Sequence, residues 1–195
     1  MNKNIVLCGV GGQGTVLASR LISAAAMECG IPVLSAETIG MAQRGGSVFS
    51  HVRLGEDCWS PMIARGEADL ILAFEPGEAV RMLPWLKEDG RMIVADQPVM
   101  PVTAALKEGA YQPEEMLRYL REKVPGVVII PAEKALREIG SPKVLNLVLL
   151  GAALKENALG LDRTAVEKAM RRLIPEKFLE LNLNALAWAG QSNPG

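Results

Sequence analysis

The sequence predicts an α/β protein: a Rossmann-like open, mostly parallel sheet with helices on both faces, followed by a helical C-terminal segment. Three observations carry that expectation. A short aliphatic run, Ile5-Val6-Leu7-Cys8, reaches glycines spaced G-x-G-x-x-G at Gly9, Gly11 and Gly14, and an alanine-rich apolar segment follows at once, the pattern of a strand turning tightly into a helix. Short continuous apolar runs then alternate with helix-period segments through about residue 140, which favours right-handed connections and a sheet covered on both sides. Hydrophobic residues make up 49% of the chain but aromatics only 4%, so the core must be built from Ala, Val, Leu, Ile and Met. At 195 residues the chain reads as a single domain, 1–195, with a helical extension from about residue 142.

In order, the first strand ends in the glycine turn, where Gly9 and Gly11 allow a sharp bend and Gly14 lets the following helix sit close to its strand. Residues Thr15 to Cys29 carry Leu17, Leu21, Ala24 and Ala25 at helical spacing, with Gly30 as the stop. Ile31 to Ala36 reads as a second strand that completes a strand–helix–strand unit, with Glu37 at its end. An acidic residue there suits ribose binding in a dinucleotide fold. The next segment breaks that pattern: Thr38 to Gly46 is a glycine-bearing loop, and Ser47 to Leu54 alternates like a strand, with Val48, Ser50, Val52 and Leu54 on one face and Phe49, His51 and Arg53 on the other. His51, the one histidine of the chain, reads as a hydrogen-bonded structural residue rather than a catalyst.

Ala68 to Phe74 is a continuous apolar strand of the kind buried on both faces of a parallel sheet, and Glu75-Pro76 opens the next helix. Arg91 to Asp96 repeats the pattern, a helix is expected over Pro113 to Lys123, and Val127 to Pro131 is a further short strand. Glu37, Glu75 and Asp96 therefore fall, with the glycine turn, at strand carboxyl ends along one edge. From Pro142 the pattern is helical only: Lys143 to Ala158 is apolar nearly all round, which suggests packing on another subunit, Asp162 caps a helix to Leu173, and Phe178 to Ala189 is a last amphipathic segment before a polar tail that reads as disordered.

Several function classes are disfavoured. A net charge of −1 without a basic block leaves no electrostatic footprint for nucleic acid or an anionic membrane. Val144 to Leu154 is too short to span a bilayer, and the chain runs from Met1 into its first strand with no room for a signal peptide, so the cytoplasm is expected. Cys8, Cys29 and Cys58 lack metal-ligand spacing and read as small buried residues, as do Trp59, Trp85 and Trp188 as buried hydrophobes. Backbone N–H groups at the start of the first helix would face an anionic guest, unless the glycines serve only tight strand–helix packing.

The stretches Gly9-Val10-Gly11-Gly12-Gln13-Gly14 and Gln43-Arg44-Gly45-Gly46-Ser47, the latter leading into a strand that ends near Val52-Arg53, are far more specific together than apart. In them the sequence resembles the gamma-type subunits of the 2-oxoacid:ferredoxin oxidoreductases, and most of all the small subunit of indolepyruvate ferredoxin oxidoreductase. The resemblance implies oxidative decarboxylation of a 2-oxoacid to an acyl-coenzyme A with ferredoxin as acceptor. It implies too that thiamine diphosphate and the iron–sulfur clusters lie on a larger partner chain, so that this chain is inactive alone and assigns no catalytic residue of its own. Gly9, Gly11, Gly12, Gln13 and Gly14 would then cradle a phosphate-bearing cofactor such as coenzyme A, with Arg44, Gly45 and Gly46 contacting a phosphate, a carboxylate or the partner. Two other readings stand beside it: a self-contained NAD- or FAD-dependent oxidoreductase, and a noncatalytic assembly subunit whose glycine turn binds nothing.

Overall fold

The structure is a computed structural model and describes residues 2–37, 45–100 and 111–191. Six strands form one sheet in the order β2-β3-β1-β4-β5-β6: β1 Lys3–Val10, β2 Val33–Glu37, β3 Ser47–Leu54, β4 Ala68–Ala73, β5 Leu86–Ala95 and β6 Val128–Ile130. Helices α1 Thr15–Glu28, α2 Pro76–Met82, α3 Pro113–Lys123, α4 Ala132–Ile139, α5 Leu145–Lys155, α6 Arg163–Leu173 and α7 Glu176–Gln191 connect and cover it. The open α/β architecture with helices on both faces is as expected. No helix among the described residues is long and apolar enough to cross a membrane.

One feature of the topology is not written in the strand pattern. The first strand–helix–strand unit does not place β2 beside β1, because β3 lies between them, antiparallel to both. The cause is the length of the link: residues 38–46, between β2 and β3, are too few for the crossover of a dozen or more residues that a parallel neighbour needs. The chain must reverse, and β3 takes the slot next to β1. On the other side β1, β4, β5 and β6 are all parallel.

The central strands read as unbroken apolar runs because both of their faces are buried. Ile5 and Leu7 of β1, with Leu70 and Leu72 of β4, point into a large core under α1, α5, α6 and α7. Val6 and Cys8, with Ile71 and Ala73, point into a smaller one under α2 and α3. Alternate residues of one strand thus feed different layers.

Helix α5 is the keystone of the larger layer. Every residue from Leu145 to Ala153 is buried, not against another subunit as its apolar circumference suggested but between the sheet and α7. A Cβ on Gly151 would stand 2.2 Å from the backbone oxygen of Leu186, so the absence of a side chain is what lets the two helices cross so closely. Each fully buried leucine of α5 contributes roughly 1.5–3 kcal/mol of apolar burial. Asp162 stands at the N-cap of α6 but makes no side-chain cap hydrogen bond. The polar tail beyond residue 191 lies outside the described residues.

Candidate functional site

The carboxyl ends of the parallel strands form one edge, and the first turn of α1 opens onto it. Gly14 is the N-cap of α1, at φ 87°, a left-handed conformation that an L side chain adopts only at a cost. A Cβ there would also approach the Asn146 amide nitrogen of α5 to 2.9 Å. No side chain caps α1, and its first turn holds no acidic residue. A helix start leaves its first N–H groups without intrahelical partners and carries the positive end of the helix dipole, and no N-cap side chain meets those of α1.

In front of them lies an open groove of about 400 Å³, lined by Gly11, Gly12, Gly14, Thr15, Val16, Arg20 and Val48. Gly12 is exposed, and nothing lies within 4 Å of where its Cβ would stand. A ligand can thus approach the backbone there directly. Arg20 supplies a cation at the rim; its side chain is 67% exposed and only loosely paired with Glu37 at 3.9 Å. Arg20 was not singled out in the sequence. Its signal is present all the same, one helical turn beyond Val16 on the face that looks into the groove.

The remaining residues of the glycine turn have structural partners. Gly9 is buried inside β1, where a Cβ would meet the Gln13 side-chain oxygen at 2.7 Å and Phe74 Cβ at 2.8 Å. The Gln13 amide is engaged at both ends: its Oε1 accepts from Val10 N–H at 2.7 Å and its Nε2 donates to the Phe74 carbonyl at 2.9 Å. Gln13 thus locks the turn onto the end of β4. The Gly11 N–H donates to the Gly46 carbonyl at 2.8 Å, which joins the two glycine motifs that the sequence placed 35 residues apart. Gly45 is exposed at φ 84°. Arg44 lies outside the described residues.

Beside the turn stands a buried acidic shelf. Glu75 caps α2 by accepting from Glu78 N–H at 2.9 Å, and Tyr111 Oη donates to it. Burial pushes the Glu75 carboxyl above its ordinary value; backbone N–H groups of Glu78, Val99 and Gly77 pull it down, and the Glu78 charge adds to the rise. Glu78 accepts from Ser47 Oγ at 2.5 Å and pairs with Arg81 at 3.3 Å, fastening the start of β3 to α2. The Cys8 thiol, fully buried, is raised well above its usual value by burial, then by Glu78 and Glu75. Asp96 accepts from Ala132 N–H at 2.8 Å at the start of α4. The acidic residues do share the edge, but as caps and struts.

Glu37 is drawn away from a dinucleotide role. It ends β2, which β3 separates from β1, and it accepts from Ser19 Oγ at 2.7 Å. His51 is buried, as a structural residue should be: its Nδ1 accepts from Ile63 N–H at 2.8 Å, and burial lowers its pKa. Two expectations about burial are corrected. Cys29, at the C-cap of α1, is exposed and Cys58 only partly covered. Trp59 is 96% exposed, because it stands on the loop between β3 and β4 rather than on an element facing a core. Among the described residues no three His, Cys, Asp or Glu side chains come together as a metal cluster.

Residues 4–191 match the family model described as pyruvate ferredoxin/flavodoxin oxidoreductase. The indolepyruvate oxidoreductase subunit IorB of Methanothermobacter thermautotrophicus is 40% identical over 186 residues, covering 95% of this chain and 94% of the relative. The subunit of the same name from Archaeoglobus fulgidus is 37% identical, with 95% and 92% covered. The fold is shared with the gamma subunit of a keto/oxoacid ferredoxin oxidoreductase from Geobacter sulfurreducens, at TM-score 0.70 and 24% identity over 96% of this chain and 95% of that one. It is also shared with a 2-oxoglutarate:ferredoxin oxidoreductase from Magnetococcus marinus, solved with 2-oxoglutarate, coenzyme A and succinyl-CoA, at TM-score 0.71 and 21% identity; the match covers all of this chain but 32% of that one. The resemblance to gamma-type subunits read from the two glycine motifs is borne out, and the chain belongs to the pyruvate ferredoxin/flavodoxin oxidoreductase family.

Proposed function

We propose that this chain is the small subunit of a cytoplasmic complex that oxidatively decarboxylates an arylpyruvate such as indolepyruvate. The acid loses carbon dioxide, its acyl carbon is oxidised and joined to the sulfur of coenzyme A, and the electrons pass to ferredoxin. Thiamine diphosphate and the iron–sulfur clusters are assigned to a larger partner chain. The three cysteines here fit no cluster: Cys8 is buried with its thiol turned to the Glu78 carbonyl, and the other two sit elsewhere on the surface. Residues 1–195 act in this reading as one domain, inactive alone. The substrate class rests on the names of the relatives, which are called indolepyruvate oxidoreductase subunits.

The observation that carries the role of the site is the uncapped start of α1, opening on a groove with Arg20 at its rim. That arrangement fits a phosphate group of coenzyme A, which supplies the thiol that accepts the acyl group. The outward N–H groups of the first turn hold the phosphate, and Arg20 adds charge. Gly12 leaves the approach open, Gly9, Gln13 and Gly14 keep the turn in shape, and the Gly11–Gly46 hydrogen bond ties the turn to the Gly45-Gly46 segment; Arg44, outside the described residues, is assigned in this reading a contact with a phosphate, a carboxylate or the partner.

Steady-state kinetics of the assembled complex test this. Arg20→Ala should raise the KM for coenzyme A by roughly tenfold, the value of a charge-assisted hydrogen bond of about 1.5 kcal/mol, without changing the melting temperature. Gly12→Ala puts a methyl group into the groove and strains a backbone held at φ 104°, so it should raise the KM further and lower the melting temperature as well. If both variants keep the wild-type KM and turnover, the turn binds no cosubstrate and the subunit serves assembly alone. Saturable binding of NAD or FAD by the isolated chain would instead favour a self-contained oxidoreductase.

A further inference from the structure

The loop 55–67 between β3 and β4 is built to hold an apolar tip in water. Its seven residues from Cys58 to Ala64 carry no charge, although charged residues make up 22% of the chain. Trp59 is 96% exposed and Met62 53%. Among the described residues no other large hydrophobic side chain exceeds 62%. A loose loop would explain such exposure, but this one is pinned from both strand and core. Arg53 Nη1 donates to the carbonyls of Ser60 at 3.2 Å and Met62 at 3.3 Å, while its Nε donates to Asn4 at 3.0 Å. Ile63, only 3% exposed, donates its N–H to His51, and Arg65 lies 5.1 Å over the Trp85 ring.

The loop's position adds to this. One face of the sheet is deeply covered by α1, α5, α6 and α7, whereas on the other α2 packs over β1, β4 and β5 and this loop reaches β3 at His51 and Arg53. The buried side chain of Ile63 belongs to that thinner layer, and Trp59 and Met62 stand outside it. A rigid, uncharged protrusion of tryptophan and methionine has the composition of an interface core, where charge is depleted and a few aromatic anchors carry the energy.

We propose that Trp59 and Met62 form the anchor by which this chain docks into an apolar pocket of the larger chain of its complex; the inference rests on the subunit reading above. An uncharged tip lacks the electrostatic attraction that draws a protein to an anionic membrane or nucleic acid. A second copy of this chain offers it a poor seat, because the grooves at Glu88, Asp89 and Arg91 and at Asn2, Glu56 and Asp57 have charged walls and the groove at the glycine turn carries Arg20 at its rim. The larger chain is favoured by length. In the Magnetococcus protein the same fold is 32% of one longer chain, so its neighbours are tethered to it. The relatives that match this chain are of its own length, 92–94% of each being covered, and a subunit of that size holds its partner through surface contacts alone.

The test uses the intact complex, its larger chain identified by thiamine diphosphate and iron–sulfur motifs, separated and re-formed from purified chains. Trp59→Ala should weaken the dissociation constant by roughly 30-fold or more, while Met27→Ala, an exposed methionine at the far end of α1, leaves it unchanged. Circular dichroism and the melting temperature should match wild type for both, since Trp59 packs against nothing that folding requires. Trp59→Phe should remove the blue shift of tryptophan emission on binding. Wild-type affinity in Trp59→Ala, or a blue shift that persists in Trp59→Phe, overturns the anchor while leaving the subunit assignment standing. A wild-type chain that binds no such larger chain overturns both, and loss of a self-dimer in Trp59→Ala with heteromeric affinity intact assigns the anchor to a second copy and overturns the proposal.

Discussion

Replacing Gln13 with alanine should destabilise the fold as well as alter the groove, because the structure gives its amide two protein partners. The change removes the acceptor of the Val10 N–H, at 2.7 Å, and the donor to the Phe74 carbonyl, at 2.9 Å. Each hydrogen bond contributes about 0.5–1.5 kcal/mol net, and leaving a part-buried partner unsatisfied adds to the loss, so the expected cost is roughly 2–3 kcal/mol. For a chain of this size that lowers the melting temperature by roughly 5–10 °C. Gln13→Glu sharpens the reasoning. It keeps the acceptor for Val10 but turns a carboxylate oxygen toward the Phe74 carbonyl, a contact that is favourable only when the carboxyl is protonated. The folded pKa of the introduced group is then raised above its unfolded value of about 4.3, so its stabilising contribution is present below that pH and lost as pH rises through the folded value. Thermal unfolding followed by circular dichroism should therefore show the gap between Gln13→Glu and wild type narrowing from pH 7 to pH 4, a window set by those two values. A Gln13→Ala melting curve within about 0.5 kcal/mol of wild type, or a Gln13→Glu gap that does not move with pH, refutes the clamp.

Two further perturbations probe the scaffold. Burial lowers the pKa of His51 in the folded state, so the unfolded chain binds its proton first. Stability is full above about pH 6.5 and falls as pH drops toward the folded value, by at most about 1.4 kcal/mol per pH unit. His51→Asn, whose side-chain oxygen can still accept from Ile63 N–H, should lose that slope in pH-dependent urea titrations; an unchanged slope would assign it to another group. Gly151→Ala should cost about 3 kcal/mol or more, because its Cβ would stand 2.2 Å from a backbone oxygen of α7 that no rotamer change can move. A urea midpoint near that of wild type would show that α5 and α7 separate easily.

The backbone geometry around the candidate site was legible in the sequence. The spacing of Gly9, Gly11 and Gly14 after an aliphatic run announced a strand-to-helix turn, and Arg44-Gly45-Gly46 announced a second special loop, because glycine at fixed intervals is a local requirement of backbone geometry. Which of these groups remain open to a ligand was not legible. Gln13 looked like a neutral donor and acceptor for a guest, yet its partner Phe74 lies 61 residues away. Arg20 passed unnoticed because a lone arginine on a helix means nothing until the helix start and Val48 close a groove around it. Trp59 was assigned to a core on residue type alone, and only the loop's outward course shows otherwise.

The sequence by itself determined the local periods: continuous apolar runs for β1 and β4, the helix over Pro113–Lys123, the glycine turn, and through its two motifs the family. These are properties of neighbouring residues, since burial on both faces and helical periodicity are written within a single element. The tertiary structure alone decided the pairings between elements. It inserted β3 between β2 and β1, bound Gly11 to Gly46 and Ser47 to Glu78, and laid α5 under α7 through Gly151. The physical reason is that a hydrogen bond or a helix crossing between distant segments depends on how the whole sheet closes, and one strand's pattern fits more than one neighbour.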